Sequence, residues 1–126
     1  MNPLLPRTPE IDFEEALEQM GGDVELLHEV IEVFFETAPD LFREIDEALT
    51  AHDLPRLQLV AHGLKGSGAS IGALGFSAVA GELEAHARDG DGAGAPDILV
   101  RLRGSLTQLA AACALVDWEM AISLEI

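Results

Sequence analysis

Lysine occurs once in this chain, at position 65, and basic side chains of any kind are scarce: seven Lys and Arg stand against 23 Asp and Glu. The formal charge of -16 repels phosphate-rich surfaces, which argues against nucleic acid and anionic membranes as partners. Aromatics make up only 5% of the residues, so a core built from this sequence is aliphatic. Cysteine also occurs once, as Cys113 in the apolar run LAAACALV. An internal disulfide is therefore excluded, a reducing compartment fits, and the thiol reads as a small buried hydrophobe. The leading MNPLLPRTPE lacks a long apolar run and reads as neither signal peptide nor membrane anchor. The cytoplasm is the expected compartment. The prolines of that segment mark residues 1–9 as a loose, flexible tail. Alternating β-branched runs are missing too, which leaves no strand signal.

What remains is helical periodicity nearly everywhere. DFEEALEQM (residues 12–20) is a short amphipathic helix ended by Gly21 and Gly22. Asp23 can cap a long helix over 23–51 that carries Leu26, Leu27, Val30, Ile31, Phe34 and Phe35, with Pro39 as the place for a kink. Asp53 and Pro55 open the next helix, an N-cap followed by a first-turn proline, which should end near Gly72. Further helices are expected over 73–89 and from 96 to 118 or beyond, separated by the loop DGDGAGAPD. Short connections between long amphipathic helices make antiparallel neighbours. The expected fold is all-α: a single antiparallel up-down four-helix bundle over residues 10–122, with a short additional N-terminal helix.

One stretch resists this reading. AHGLKGSGASIGA, residues 61–73, holds Gly63, Gly66, Gly68 and Gly72, and each interior helical glycine costs about 1 kcal/mol relative to alanine. Counting about 100° per residue from Leu57, Val60, Ala61, Leu64 and Ile71 form the core stripe. His62 falls on the opposite side, together with Leu59, Gly63, Lys65, Gly66, Ala69 and Ser70. Gly63 and Gly66 face outward and Gly68 lies toward the flank, so none of the three is obviously required by the core. Small residues around an exposed imidazole let another protein's backbone come close. Leu59 adds apolar surface suited to docking. Lys65, three residues after His62, shares its face, and its charge can offset a phosphoryl group's oxygens. A carboxylate accepting from Nδ1 would fix the tautomer and leave Nε2 as the nucleophile. Glu84 or Glu82 on the next antiparallel helix can supply it, and the sequence does not choose between them.

The other polar motifs read more plainly. Glu25 and His28 make half of a ferritin-like Glu-x-x-His metal pattern, but no second such motif is present. His52 and His86 read as solvated side chains. DGDGAGAPDILV lacks the ligands of a calcium loop at Ala93 and Val100. The acidic runs read as solvated faces. No Gly-x-x-x-x-Gly-Lys loop is present, so no nucleotide site of that type is built.

AHGLKGSGASIGA followed by GELEAHARDG, with GGDVELLHEVIEVFFETAPDLFREIDEAL and HDLPRLQLVAHGLKG upstream, resembles the histidine-containing phosphotransfer (HPt) domains of two-component phosphorelays over residues 11–115. The resemblance implies a four-helix bundle with its active histidine exposed on the second long helix. It implies that His62 accepts a phosphoryl group at Nε2 from a receiver-domain aspartate and relays it to another receiver. The position matching Lys65 helps hold the phosphoryl oxygens, the one matching Gly66 leaves room for the receiver, and the one matching Glu84 commonly bonds the imidazole. The implied partners are response-regulator receivers and a hybrid or sensor histidine kinase. The resemblance further implies that Mg²⁺ belongs to the receiver, that no cofactor or metal is expected on this chain, and that it acts as a phosphocarrier without autokinase activity. Gly63 departs from the larger or hydroxyl residue common after the histidine. Docking specificity would lie in rim residues such as Arg56, Gln58, Leu59 and Ala69, and a monomer is expected, because pairing through the His62 face would block it. The alternative function is a non-phosphorylated helical module that docks a receiver through the same surface.

Overall fold

Four of the helices begin at an aspartate whose side chain accepts from the backbone three residues on. Asp12 takes the Glu15 N–H at 3.0 Å, Asp23 that of Leu26 at 3.0 Å, Asp53 that of Arg56 at 3.1 Å and Asp117 that of Met120 at 3.0 Å. Each bond satisfies a donor that the first helical turn leaves open. The computed structural model describes residues 2–125, and the helices are α1 (Phe13–Gln19), α2 (Val24–Thr50), α3 (Leu54–Ser70), α4 (Leu74–Arg88), α5 (Ala95–Ala114) and α6 (Trp118–Ser123). Among the described residues there is no strand.

The helices α2 to α5 form an antiparallel ring in which each packs on the next. Leu27, Ile31, Phe34 and Phe42 of α2 meet Leu57 and Leu64 of α3, Phe76 and Leu83 of α4, and Leu102 and Leu109 of α5 in one core. Each such large side chain contributes about 1.5–3 kcal/mol when fully buried. Phe34 and Phe76 meet edge to face at 5.4 Å. The ring closes between α5 and α2, where Arg103 pairs with Asp46 at 2.7 Å and lies over Phe42.

The turn from α3 to α4 sets the register of the two helices that matter most below. Gly72 has φ +74°; its N–H donates to Ala69 O at 3.1 Å and the Ala73 N–H to Gly68 O at 2.9 Å. This is a Schellman stop, which absorbs the last carbonyls of α3 and reverses the chain within three residues. The Gly72 carbonyl accepts from Asp12 N–H at 2.8 Å, so α1 starts on that turn.

Three expectations change. The tail is not loose: Leu5 is 3% exposed in the core, and the buried Asn2 amide donates to Ala121 O at 2.7 Å and to Glu125 at 3.0 Å. Leu4 and Leu5 are the apolar residues that make this clasp worthwhile. Met1 lies outside the described residues. The last helix stops at Ala114, because Asp117 caps a new one at Trp118 and a local cap competes with continuing the old helix. Gly68, read as spare, is buried, and a Cβ there would lie 2.8 Å from the Phe76 ring. In α2 the helix continues through Pro39, which sits on its exposed side.

Candidate functional site

In α3 the stripe Leu57, Val60, Ala61, Leu64 faces the core. Its 3.6-residue period turns position 62 the other way, and the His62 side chain is 67% exposed. In α4, Ala80, Leu83 and Ala87 face inward, which leaves positions 77, 81 and 84 as a second stripe along the seam with α3. Every member of that stripe meets the segment 62–65. The Ser77 hydroxyl donates to the Lys65 carbonyl at 2.8 Å. The Lys65 stem runs along Gly81, where a Cβ would lie 3.4 Å from Lys65 Cδ. Glu84, with its side chain 13% exposed, completes the stripe.

The Glu84 carboxylate bridges two residues of α3. Its Oε2 lies 2.5 Å from His62 Nδ1 and its Oε1 lies 3.3 Å from Lys65 Nζ. Burial pushes the Glu84 carboxyl up, the largest single influence. The hydrogen bonds from His62 and Lys65, with their charges, together outweigh it and hold the carboxyl below its ordinary value. An ionised carboxylate only accepts, so Nδ1 is the donor in this contact, and in the neutral ring the lone pair is on Nε2. The ring is therefore fixed at one nitrogen and available at the other.

Around this nitrogen the surface is low. At Gly63 and Gly66 nothing lies within 4 Å of where a Cβ would be. Leu59 is 71% exposed beside them, while Ala69 and Gln58 are half-buried. Arg56 is drawn away into pairs with Glu47 at 2.9 Å and Glu44 at 3.5 Å. Glu82 points to the opposite seam, where it meets Arg101 at 2.8 Å. Of the two carboxylates open in the sequence, the structure brings Glu84 and not Glu82 to His62.

Sequence reasoning missed Ser77 and Gly81. Their signal was present as the small–small–acid spacing 77, 81, 84 on the helix after the histidine, but it becomes readable only once the register of α3 on α4 is known.

The remaining histidines lie elsewhere. His28 stacks on Trp118 at 4.8 Å and pairs with Glu32 at 2.9 Å. His52 occupies the α2–α3 turn at φ +52°. His86 is half-buried with its Nδ1 3.0 Å from Asp91, against the 3-10 turn Gly92–Gly94. Among the described residues no three His, Cys, Asp or Glu side chains gather as a metal would need. Burial pushes the Cys113 thiol up to about 11, which keeps it protonated and unreactive. No helix among the described residues is long and apolar enough to cross a membrane.

No curated protein and no solved structure matches the chain. The family model described as Hpt domain matches residues 29–112, a segment that runs from α2 through nearly all of α5 and contains His62, Lys65 and Glu84. That match and the all-helical bundle agree, and the chain belongs to the Hpt domain family, the phosphocarrier modules that work with receiver domains and kinases in two-component phosphorelays.

Proposed function

We propose that His62 is the phosphoacceptor and that the chain relays a phosphoryl group between receiver aspartates. The observation that carries this reading is the asymmetry of the imidazole: Nδ1 held by Glu84, Nε2 free on an exposed face. In the forward step the Nε2 lone pair attacks the phosphorus of an aspartyl phosphate. The N–P bond forms, the P–O bond to the aspartate breaks, and the aspartate leaves as a carboxylate. The imidazole becomes cationic, and Glu84, already ionised at Nδ1–H, offsets that charge without moving. This is electrostatic preorganisation. Lys65 reaches the same carboxylate from one helical turn on, which keeps a cation beside the incoming oxygens. Delivery to a second receiver reverses each bond change. Receiver-bound Mg²⁺ would act on the aspartyl side.

Gly63 and Gly66 support the docking part of the reading, because the attacking nitrogen must approach an aspartate recessed in another protein. Leu59, 71% exposed, offers apolar contact area beside them. Ala69, half-buried one turn beyond Gly66, extends that low surface.

The test is transfer. Wild type and His62→Gln are incubated with phosphorylated receivers and Mg²⁺ and followed by intact mass. One phosphoryl adduct, stable to base and labile to acid, is expected on wild type and none on the variant. An adduct on both moves the chemistry away from His62. No adduct on wild type, with receivers that phosphorylate another Hpt domain and still bind this chain, supports the docking module instead.

A further inference from the structure

Charge is unevenly spread over this molecule. Residues 8–42 hold eleven of the 23 acidic side chains and none of the seven Lys and Arg. Elsewhere many acids are met in place: Glu44 and Glu47 by Arg56, Glu82 by Arg101, Asp46 by Arg103. Uncompensated negative charge therefore collects on α1 and the first half of α2.

On this side a groove of about 560 Å³ opens between α2 and the junction of α5 with α6. Ile31, Phe35, Ala110, Ala114, Val116 and Trp118 give it an apolar lining, and Glu32 and Glu36 stand along its α2 edge. Both carboxylates are exposed. The ionic partner of Glu32 is His28, and Glu36 has none among the described residues. Trp118 is a preset wall: it stacks on His28 and meets Phe13 edge-on at 5.9 Å. No residue of the groove belongs to α3 or α4, so it lies across the bundle from His62.

The geometry points to this groove as a docking site for a basic amphipathic helix of a partner protein. Two helices flanking an apolar trough accept the apolar face of a third. Glu32 and Glu36 are one turn apart, so Lys or Arg spaced by four on the occupant would meet both. A second copy of this chain fits poorly, because symmetry would set its own Glu32 and Glu36 against these. Occupancy would leave His62 open, so the groove can hold a partner while phosphoryl groups pass on the other face. This inference does not depend on the role given to His62.

Trp118 is the only tryptophan and tyrosine is absent, so intrinsic emission reads the groove directly. The probe is a synthetic helix of about 14 residues with leucines on one face and lysines at i, i+4 flanking it, compared with a peptide of the same composition in scrambled order. A saturable shift of Trp118 emission is expected with the first peptide, weakening with salt, and a much weaker one with the scrambled peptide. Glu32→Gln with Glu36→Gln should weaken binding about five- to tenfold. Asp89→Asn with Asp97→Asn, the same charge change at the far end of the bundle, should leave it within about twofold. Ala110→Glu should abolish it. Absence of a shift, equal response to both peptides, or equal weakening by the two charge pairs would overturn the proposal. So would a shift produced by raising the protein concentration alone, which would assign the groove to a second copy. Circular dichroism checks that each variant stays folded, and phosphoryl transfer should be unchanged in all of them.

Discussion

The glycines of AHGLKGSGASIGA divide into two pairs with opposite physics. Gly63 and Gly66 have open space where a side chain would stand. Gly68 and Gly72 have none: a Cβ would lie 2.8 Å from Phe76 at the first and 2.3 Å from Asp12 O at the second. The inner pair lets α3 end tightly against α4 and α1. The outer pair has no packing reason, and helix propensity counts against it. Residues kept against propensity and without a packing return mark a surface shaped for something outside the molecule. The same stretch thus holds two separate instructions, one to the fold and one to a partner.

The largest effect that would test this division is expected at Gly72. Gly72→Ala must adopt φ +74° and displace Asp12, and should destabilise the bundle by about 2–4 kcal/mol in urea unfolding. A loss under about 0.5 kcal/mol would mean that the Schellman turn does not set the α3–α4 register.

Second comes the carboxylate. Glu84→Gln should slow transfer about tenfold or more by releasing the imidazole, whereas Glu82→Gln, which breaks only an exposed pair with Arg101, should leave it unchanged. The same variant has a pH signature. A carboxyl held below its ordinary 4.5 in the native state adds stability that is complete above that value and disappears as pH falls through the native pKa. The stability gap between wild type and Glu84→Gln should therefore be full above pH 4.5 and close on further acidification. A gap independent of pH would remove the ionised bridge from the account.

The smallest effect has the opposite sign. Gly63→Ala and Gly66→Ala should each stabilise by about 0.5–1 kcal/mol, because the methyl meets nothing and the helix gains propensity. If either destabilises, the outer pair is structural after all and the division fails.

Much of the molecule was legible in the sequence by itself. Asp23 and Asp53 cap helices because a short carboxylate satisfies local backbone donors without reference to distant chain. The 3.6-residue stripe of Leu57, Val60, Ala61 and Leu64 put His62 outside and Lys65 beside it, since both follow from angles within one helix. The shared face of a histidine and a lone lysine, set among small residues, needed nothing more.

Tertiary structure decided what depends on the meeting of two elements. It chose Glu84 over Glu82, because two residues along α4 is about 200° of rotation and only the register fixed at Gly72 says which carboxylate faces α3. It gave Gly68 to Phe76, Gly81 to the Lys65 stem and Ser77 to the Lys65 carbonyl, contacts between residues 8 to 16 positions apart with no local signature. It folded Asn2 and Leu5 onto the core, where sequence alone saw a proline-rich tail. Propensity and periodicity act within a few residues of the chain, whereas each of these outcomes is set by close packing between helices, which depends on the register and shape of both partners.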